Sequence, residues 1–569
     1  MKFTDIADTY TRLERITSGN EIRNNLSFLF KKVPRVDIKK VAYLTTGRIA
    51  SDYEPIDLGI AGKMAERAIA QASGTLLGAV VHAVKKTGDH GDVAATLART
   101  KKPSLTVNDV FKTLHDIAAT KGLGSQERKI TLLATLLSKA TPTEARYLVR
   151  MALGKLRLGV GDKTVLDSLA IAYTGNKADK KHLEHAYNIA PDIGVIAETL
   201  AKKGLADVKN IGVVVGRPIQ MMLCQRVKTI EDVSRKMRWP VVVEEKYDGE
   251  RIQAHKRGRT VTLFSRRLEN ITSQFPDIVD AIKKQVKAQT AVIEGEAMPI
   301  DAKGNILPFQ VLMSRRRKHD IAAYVKKIPV CWYVFDLLSL NGKNQLGASY
   351  PKRQAALKRI IKPNDRIKLA LNKTCRDTDC IEELFNRVVE LGGEGVVIKS
   401  TAPDSTYQAG VRGWHWIKWK PEYAKKLRDT FDLVVVGAYS GRGKRAGRYG
   451  ALLCAAYNGK TDRYETFCKL GTGFTDADLA RFIKIFASSK MSIQPRNVSC
   501  TKSMTPDVWF KPNVVVEVTG AQITRSPNHT VGLDHGQGLA LRFPRFLRIR
   551  HDKKPAQATT IEEIRRMAR

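Results

Sequence analysis

The sequence predicts a multidomain α+β protein with an all-α first part, an α/β middle part and a small C-terminal β-barrel. Three observations support this fold class. The chain has 569 residues, which suggests three or four domains at roughly 150 residues per domain. Apolar residues recur at helical spacing through the first part, and short β-rich runs replace them near residue 240. From about residue 429, short strands separated by Gly and Asn turns are typical of a small barrel.

The first predicted domain spans residues 1–215 and is helical. Its clearest helix start is Thr141-Pro142-Thr143-Glu144, which supplies a hydroxyl cap, Pro in the first turn and Glu three residues after the cap. A second helix is indicated by apolar residues that recur on one face, namely Ile130, Leu133, Leu136 and Leu137. Lysine pairs are frequent in this region. Each pair alone is typical of a solvated helix face, but the excess of the whole set needs another explanation.

The second and third predicted domains span residues 216–424 and 425–569. The β-rich runs of the second domain are 241–243, 261–264, 291–293, 330–338 and 395–399. A helical segment at 381–391 lies between two of them, which indicates an α/β architecture with a buried sheet. The strands of the third domain are predicted at 433–436, 452–456, 465–470 and 514–518. The charged stretch 422–429 is the predicted linker.

The charge of the chain points toward nucleic acid. Lys and Arg total 97 against 57 Asp and Glu, so the formal net charge is +40. So many like charges repel one another unless an acidic partner screens them. Nucleic acid is the favoured partner, and an anionic membrane surface is the weaker alternative. No apolar run approaches the ~20 residues of a spanning helix, and no signal peptide is evident. We therefore expect a protein without membrane attachment, in the cytoplasm of an archaeal-type cell or in the nucleus if eukaryotic.

Cysteine usage agrees with a reducing compartment. The seven cysteines are odd in number and scattered. Their spacing matches neither a disulfide framework nor a zinc site. We therefore expect neither feature, and a cytoplasmic or nuclear setting is the default.

The first motif that carries chemistry is Lys246-Tyr247-Asp248-Gly249, which directly follows a run of valines. A lysine at the end of a strand, followed by a Gly turn, can point into a cleft. Lysine is a weak nucleophile at its free pKa near 10.4, but burial or neighbouring cations can activate it. Taken alone, this four-residue pattern also fits a surface turn.

Further motifs follow in order along the chain. They are Glu294-Gly295-Glu296, Phe335 within 333–338, the segment 394–399, Lys418 and Lys420 within 416–420, and a basic segment at 542–553. Glu294 and Glu296 share one strand face, and so do Lys418 and Lys420. Each has an ordinary structural alternative: Phe335 as core, the glutamates as ion-pair partners, and Trp416 and Trp419 as packing residues.

Together these motifs resemble those of the covalent nucleotidyltransferases, and specifically the ATP-dependent DNA ligases of the archaeal and eukaryotic replicative type. The resemblance runs nearly end to end. It includes the segments 153–161, 217–223, 308–312 and 441–450. It implies a helical DNA-binding domain at 1–215, a nucleotidyltransferase (adenylation) domain at 216–424 and an OB-fold domain at 425–569. It also implies that ATP is consumed and that nicked double-stranded DNA is sealed.

The resemblance assigns a role to each candidate residue. Lys246 is the implied nucleophile toward the α-phosphate of ATP. The implied nucleotide contacts are Glu244, Arg251, Arg266, Glu296, Phe335, Lys399, Arg412, Lys418 and Lys420. Glu296 and Glu394 are implied ligands of Mg²⁺, with Mn²⁺ as a substitute. The implied pyrophosphate contacts in the first step are Arg550, Asp552 and Lys553. The implied DNA contacts are Arg442, Lys444, Arg445 and Arg448.

Two departures from the family pattern and one alternative function stay open. Glu294 stands where relatives often carry Asp. Archaeal relatives dock a sliding clamp through a segment with Gln and Phe near residue 103, and residues 101–105 lack it. Whether a clamp is a partner therefore stays open. We expect the protein itself to be a monomer. A non-enzymatic architectural DNA-binding protein would also explain the charge. It would leave Lys246, Glu394, Lys418 and the last motif without a role.

Overall fold

The computed structural model describes most of the chain as two compact units. The described residues are 1–54, 56–99, 102–227, 229–313, 315, 321–391, 393–420, 430–441, 448–520, 522–542 and 544–568. The two units are Met1–Lys420 and Pro421–Arg569. Among the described residues, no helix has both the length and the apolar character that crossing a membrane requires.

The first part of the Met1–Lys420 unit is all-α, as predicted. Its helices are Thr4–Glu14 (α1), Gly19–Lys32 (α2), Ile38–Thr45 (α3), Gly62–Ser73 (α4), Leu77–Thr87 (α5), His90–Leu97 (α6), Val107–Ala119 (α7), Ser125–Ser138 (α8), Pro142–Ala152 (α9), Asp162–Thr174 (α10), Lys180–Ile189 (α11), Ile193–Lys203 (α12) and Leu205–Lys209 (α13). The predicted start of α9 is confirmed, since Thr141 and Glu144 form a reciprocal capping box. The predicted apolar face of α8 is also confirmed, because Ile130, Leu133 and Leu137 are buried.

The second part of this unit is α/β, as predicted. Its elements are Leu223–Arg226 (β1), Glu231–Lys236 (α14), Val241–Glu245 (β2), Glu250–Arg257 (β3), Thr260–Ser265 (β4), Pro276–Gln285 (α15), Thr290–Pro299 (β5), Phe309–Met313 (α16), Ile321–Lys327 (α17), Val330–Leu340 (β6), Lys343–Asn344 (β7), Tyr350–Ile360 (α18), Ile367–Leu369 (β8), Asn372–Cys375 (β9), Thr378–Glu390 (α19), Val396–Ser400 (β10) and Arg412–Trp419 (β11). One sheet has the order β4-β3-β5-β6-β7, with β8 beside β6. The other has the order β1-β11-β10-β2-β9.

Each sheet is covered by helices on an apolar face. In the first sheet, β3, β5 and β6 contribute buried side chains to one cluster with α15 and α18, for example Ile293 against Ile282 and Leu357. In the second sheet, Val243 and Ile398 lie in a cluster with Phe385 of α19. Burial of this kind contributes about 25 cal/mol per Å² of apolar surface removed from water. Part of the other face of the first sheet is apolar too, since Val292 and Leu338 lie in a separate cluster, and the polar side chains Glu294 and Glu296 share the face of Val292.

The Pro421–Arg569 unit is rich in short strands, as predicted. Its elements are Phe431–Ser440 (β12), Tyr449–Asn458 (β13), Arg463–Leu470 (β14), Asp476–Ile485 (α20), Lys490–Met491 (β15), Val498–Ser499 (β16), Val508–Phe510 (β17), Val515–Thr519 (β18), Gln522–Ser526 (β19), Val531–Asp534 (β20), Gln537–Arg542 (β21), Arg545–Ile549 (β22) and Ile561–Met567 (α21). The main sheet follows β15-β17-β12-β13-β14-β16, and β18 pairs with both β12 and β22. A smaller sheet has the order β19-β21-β20. The predicted linker at 422–429 lies outside the described residues.

One disulfide contradicts the expectation from cysteine spacing. Cys375 at the end of β9 is bonded to Cys380 near the start of α19. The turn between strand and helix brings their Cα atoms to 5.5 Å, within the range that a disulfide needs. Excluding disulfides from spacing alone was wrong for this pair, because the spacing does not show how sharply the chain turns.

Candidate active site

A cavity of about 480 Å³ lies in the Met1–Lys420 unit and collects most of the predicted site residues. The predicted residues that line it are Glu244, Lys246, Arg251, Arg266, Glu296, Phe335, Glu394, Lys399, Lys418 and Lys420. They come from segments up to 176 residues apart in sequence, from Glu244 in β2 to Lys420, which follows β11. The cavity volume is in the range that small-molecule ligands occupy.

Local backbone geometry places Lys246 at the cavity wall. Lys246 directly follows β2, and its backbone N–H donates to the carbonyl of Gly395 at 2.8 Å. A Cβ at Gly249 would lie 2.4 Å from the carbonyl oxygen of Ala297. Only glycine therefore permits β5 to approach the turn that follows Lys246. This close approach brings Glu296 of β5 to the same cavity.

A single glutamate joins two of the cavity lysines. Glu394 forms ion pairs with Lys246 through Oε2 and with Lys420 through Oε1. Lys418 also lines the cavity, and within the described ranges it has no ion-pair partner. Burial lowers the pKa of Lys418 because desolvation disfavours its charged form. These cations form the phosphate-binding candidate of the site.

The other end of the cavity combines a buried carboxylate with aromatic rings. Glu244 pairs with Lys399 at 2.7 Å and accepts a hydrogen bond from the Tyr350 hydroxyl. The Nζ of Lys399 lies 4.7 Å from the Phe335 ring centroid and 4.5 Å from that of Trp416. Burial raises the pKa of Glu244, whereas Lys399 and Tyr350 oppose this rise. Aromatic rings and a hydrogen-bond acceptor in one cavity lining are the groups that a flat, polar base requires.

Arg251 is fixed by a second buried carboxylate. Its guanidinium pairs with Glu294 at 2.7 Å and donates to the Met222 carbonyl at 2.8 Å. Glu294 also accepts from Tyr407 at 2.9 Å and from Gln253 at 3.0 Å. The nearby carboxylate raises the pKa of Arg251 despite burial. Arg251 is thus a permanently charged group held at the cavity wall.

Glu296 is the carboxylate that best fits a cation. Within the part of the chain that the structure describes, no hydrogen-bond or ion-pair partner is found for it. Burial raises the pKa of Glu296 to about 7, and the positive charges of Lys246 and Arg251 only partly oppose this. An ionised, desolvated carboxylate needs a counter-charge. Glu296 and Glu394 line one cavity, and one or two carboxylates with bound phosphates suffice for Mg²⁺, so these residues fit a divalent cation.

Two predicted arginines lie apart from the buried groups. Arg266 lines the cavity but is exposed just after β4. Arg412 is exposed at the start of β11, where it pairs in register with Leu223. Arg412 is absent from the cavity lining formed by the described residues. It still contributes to the electrostatic environment of Lys418.

In the second unit, the predicted last motif forms an ion-pair cluster. Arg550 pairs with Asp432 at 2.9 Å and with Asp552 at 2.7 Å, and Lys553 pairs with Asp432 at 2.6 Å. Asp552 is largely exposed, whereas Asp432 is buried. Of the predicted DNA contacts, Arg448 precedes β13 and donates to the Asp476 carbonyl at 3.4 Å. Arg442, Lys444 and Arg445 lie outside the described residues.

Sequence reasoning missed three residues that bind predicted functional residues, two in the first unit and one in the second. Tyr350 binds Glu244 across 106 residues of sequence, and the motif that contains Glu294 does not show that this residue pairs with Arg251. Asp432, the shared partner of Arg550 and Lys553, lies about 120 residues before them. Trp416, left open as packing or function, lines the cavity, whereas Trp419 stacks on Phe385 at 3.9 Å. A tyrosine or an acid inside an ordinary strand or helix carries no local signal of such a contact.

Comparisons with known proteins agree with this geometry. The family model for the ATP dependent DNA ligase domain matches residues 221–420. The models for the DNA ligase N terminus and for the ATP dependent DNA ligase C terminal region match residues 2–170 and 445–553. A solved structure named "Pmar-Lig_Pre." has a TM-score of 0.57 at 18% identity and covers 96% of this chain and 99% of that chain. At that identity the likeness concerns the fold.

Full-length relatives give the family. The chain is 44% identical to DNA ligase 1 of Methanosarcina mazei, with 99% of both chains covered. It is 45% identical to DNA ligase 2 of Thermofilum pendens, with 99% of this chain and 96% of the relative covered. Identity of this extent over the whole length, together with a cavity that gathers the ordered motifs, shows that the chain belongs to the ATP-dependent DNA ligases.

Proposed function

We propose that the chain seals nicks in double-stranded DNA by forming a covalent AMP adduct on Lys246. As an ATP-dependent DNA ligase, it uses ATP and a divalent metal ion and acts on nicked DNA. The observation that carries the residue assignment is the cavity itself. Its lining includes Lys246, which pairs with Glu394, together with Lys418, Lys420 and the Phe335 ring.

In the first step, Lys246 Nζ attacks the α-phosphorus of ATP. The ammonium of Lys246 first gives one proton to Glu394, which it already contacts. The neutral amine then attacks, the N–P bond forms, the P–O bond to pyrophosphate breaks, and the second proton leaves with pyrophosphate. Phosphoryl transfer depends mainly on positioning and charge stabilisation. Lys418 and Lys420 supply positive charge at the α-phosphate, while Phe335 stacks on the adenine ring and Glu244 accepts from its amino group.

The next two steps move the AMP and close the nick. An oxygen of the 5′-phosphate attacks the α-phosphorus and the N–P bond breaks. Lys246 regains one proton from Glu394 and a second from solvent, which restores the ion pair. The 3′-hydroxyl then attacks the activated 5′-phosphate, a phosphodiester forms and AMP leaves. Arg251 and Arg266 contact the sugar and the nick phosphate, and Arg412 and Lys399 complete the nucleotide site.

Mg²⁺ is the proposed metal, with Mn²⁺ as a substitute. Glu296 and Glu394 would hold it, directly or through water. When bound, it would neutralise charge on the phosphates. Glu296 supports this assignment because it is a buried carboxylate with a raised pKa facing the cavity.

The remaining regions have supporting roles. Residues 1–215 are the proposed DNA-binding domain, residues 216–424 the adenylation domain and residues 425–569 the OB-fold domain. Arg550 and Lys553 hold pyrophosphate in the first step, and Asp552 acts in that step through its ion pair with Arg550. The proposed DNA contacts are Arg442, Lys444, Arg445 and Arg448. The protein acts as a monomer in the cytoplasm, where ATP and DNA are both present.

Sealing of a labelled nicked duplex tests this proposal. We expect a sealed product with ATP and Mg²⁺, and loss of the product when the metal is chelated. Parallel reactions with GTP, ADP and NAD test the choice of cofactor. A protein that binds the nicked duplex without sealing it under any of these conditions would favour the architectural alternative.

A further inference from the structure

Glu244 is held from behind by a residue that stays out of the cavity. Glu244 lines the cavity, whereas Tyr350 is absent from the lining formed by the described residues and is only 1% exposed. The Tyr350 hydroxyl donates to Oε1 of Glu244, and Lys399 binds Oε2. Both carboxylate oxygens therefore already accept a hydrogen from the protein.

The position of Tyr350 is itself strongly fixed. Its backbone N–H donates to the carbonyl of Ser405 at 2.9 Å. Arg353, one turn further along α18, donates to the same carbonyl at 3.0 Å and forms a two-point ion pair with Asp336 at 2.7 and 3.0 Å. All of these groups are buried. The phenol hydroxyl consequently has little freedom to turn away from Glu244.

The two donors make Glu244 an acceptor-only group. Lysine has no acceptor atom, and the positive charge of Lys399 at Oε2 favours the ionised carboxylate. The hydroxyl of Tyr350 donates to Oε1 and favours the ionised form as well. Burial alone favours the protonated form of Glu244, and a protonated carboxyl would be able to donate. The Tyr350 hydroxyl therefore helps to keep the carboxylate ionised, with its remaining lone pairs turned to ligands.

An acceptor-only carboxylate distinguishes purines by the group at position 6. Adenine presents an amino donor there, whereas hypoxanthine and guanine present an oxygen acceptor. A site built for a hydrogen bond strongly rejects an analogue that leaves its buried polar group unpaired. We infer that Tyr350 is a positioning residue which, by fixing Glu244 as an acceptor, selects 6-aminopurine nucleotides over 6-oxopurine nucleotides. This inference rests on the proposed function, since it assumes that the base of ATP lies against Glu244.

Adduct formation with three nucleotides tests the inference in the full-length protein. ATP carries the 6-amino group, ITP carries a 6-oxo group, and purine riboside triphosphate carries only hydrogen at that position. The measured quantity is kcat/KM for the covalent nucleotide adduct. We expect Tyr350→Phe to lower the preference for ATP over ITP by about tenfold, because one hydrogen bond to a charged group is lost. The preference for ATP over purine riboside triphosphate should change much less.

A matched substitution controls for the loss of a buried hydroxyl. Tyr10 is fully buried in the helical part, and its hydroxyl donates to Thr45. Tyr10→Phe removes the same group far from the cavity in sequence, so we expect the ATP to ITP ratio of the wild type. A ratio that changes equally in both variants would overturn the inference, because a general loss of stability would then account for the effect.

A second measurement needs only the wild-type protein and holds even if Tyr350→Phe fails to fold. An acceptor facing a 6-oxo group repels it, so ITP should be a poorer substrate than purine riboside triphosphate. Equal or better use of ITP would overturn the inference. Absence of any adduct with ATP would overturn the proposed function and this inference with it. A normal wild-type adduct combined with an unchanged ratio in Tyr350→Phe would overturn the inference alone.

Discussion

Lys246 Nζ forms an ion pair with Glu394, which lies 148 residues further along the chain. The pair joins the end of β2 to the segment before β10, and these strands are neighbours in the same sheet. The proposed nucleophile is therefore held at a fixed place, in contact with a carboxylate able to receive its proton. The second oxygen of Glu394 binds Lys420, which keeps that carboxylate oriented toward the cavity.

The raised pKa of Glu296 predicts a pH-dependent metal requirement. Burial raises the pKa of Glu296 to about 7, so below pH 7 the carboxyl is increasingly protonated and must lose its proton to bind metal. We expect the Mg²⁺ concentration that gives half-maximal adduct formation to rise about tenfold per pH unit below 7 and to level off above it. Titrations of Mg²⁺ between pH 5.5 and 8.5 measure this. The same requirement at every pH would contradict it, and Glu296→Gln should abolish the dependence.

The raised pKa of Glu296 also affects the stability of the metal-free protein, which should fall as the pH rises, whereas metal binding should strengthen. The pKa of Glu296 in the folded protein lies above the ordinary value near 4.3. Below that ordinary value the carboxyl is neutral in both the folded and the unfolded protein, so burying it costs least there. As the pH rises through 7, the folded protein must bury a charged carboxylate, and this part of the stability is lost. Glu296→Gln keeps a neutral group in place, so the variant should lose less stability than the wild type between pH 5 and pH 8. Thermal unfolding without metal at several pH values tests this, and parallel pH curves would contradict it.

The buried pair Arg353–Asp336 predicts a large effect on local stability. Both side chains are fully buried and meet at two points. Removing one partner leaves an uncompensated buried charge, which typically costs about 3–5 kcal/mol. Asp336→Asn should therefore increase hydrogen exchange in α18 and β6. The exposed pair Lys373–Glu383 is the matched control, because such pairs contribute about 0–1 kcal/mol. Similar hydrogen exchange after the loss of Asp336 and after the loss of one member of the exposed pair would contradict this prediction.

The last motif should act on the first step only. Pyrophosphate leaves in that step, and losing one cation at a developing charge typically costs ~3 kcal/mol, about a hundredfold in rate. We expect Arg550→Ala and Lys553→Ala to slow adduct formation by this order and still to seal a nick that already carries AMP. Asp432→Asn removes their shared partner but keeps both cations. It therefore shows whether a slower adduct reaction comes from a disturbed fold or from the loss of the cations that bind pyrophosphate. Normal adduct formation with failure on the pre-adenylylated nick would contradict the assignment.

Much of the site could be predicted from the sequence because its residues occur in short motifs in a fixed order. Lys418 and Lys420 were predicted on one strand face, and both line the cavity. Phe335 would ordinarily be taken as core, and only the ordered motifs indicated its place beside Arg251 and Lys399. Strand and helix positions followed from apolar runs, since the sheets are buried on one face by helices.

The rest could not be predicted because it depends on contacts between distant segments. Tyr350 carries no local signal that it reaches Glu244, and Asp432 carries none that it gathers Arg550 and Lys553. The disulfide between Cys375 and Cys380 depends on the turn between β9 and α19. Pairing of this kind is decided by the folded arrangement of strands and helices, which a single sequence does not contain.

Lys246 is the residue that we propose to carry the nucleotide. Incubation of the full-length protein with ATP labelled at the α-phosphate, followed by peptide mapping, tests it most directly. We expect one labelled adduct, located on Lys246, and none in Lys246→Ala, although that variant should still bind nicked DNA. Lys373→Ala, which changes an exposed lysine, should label as the wild type does. A wild-type level of adduct in Lys246→Ala, or a label mapped to another residue, would show that Lys246 is not the nucleophile.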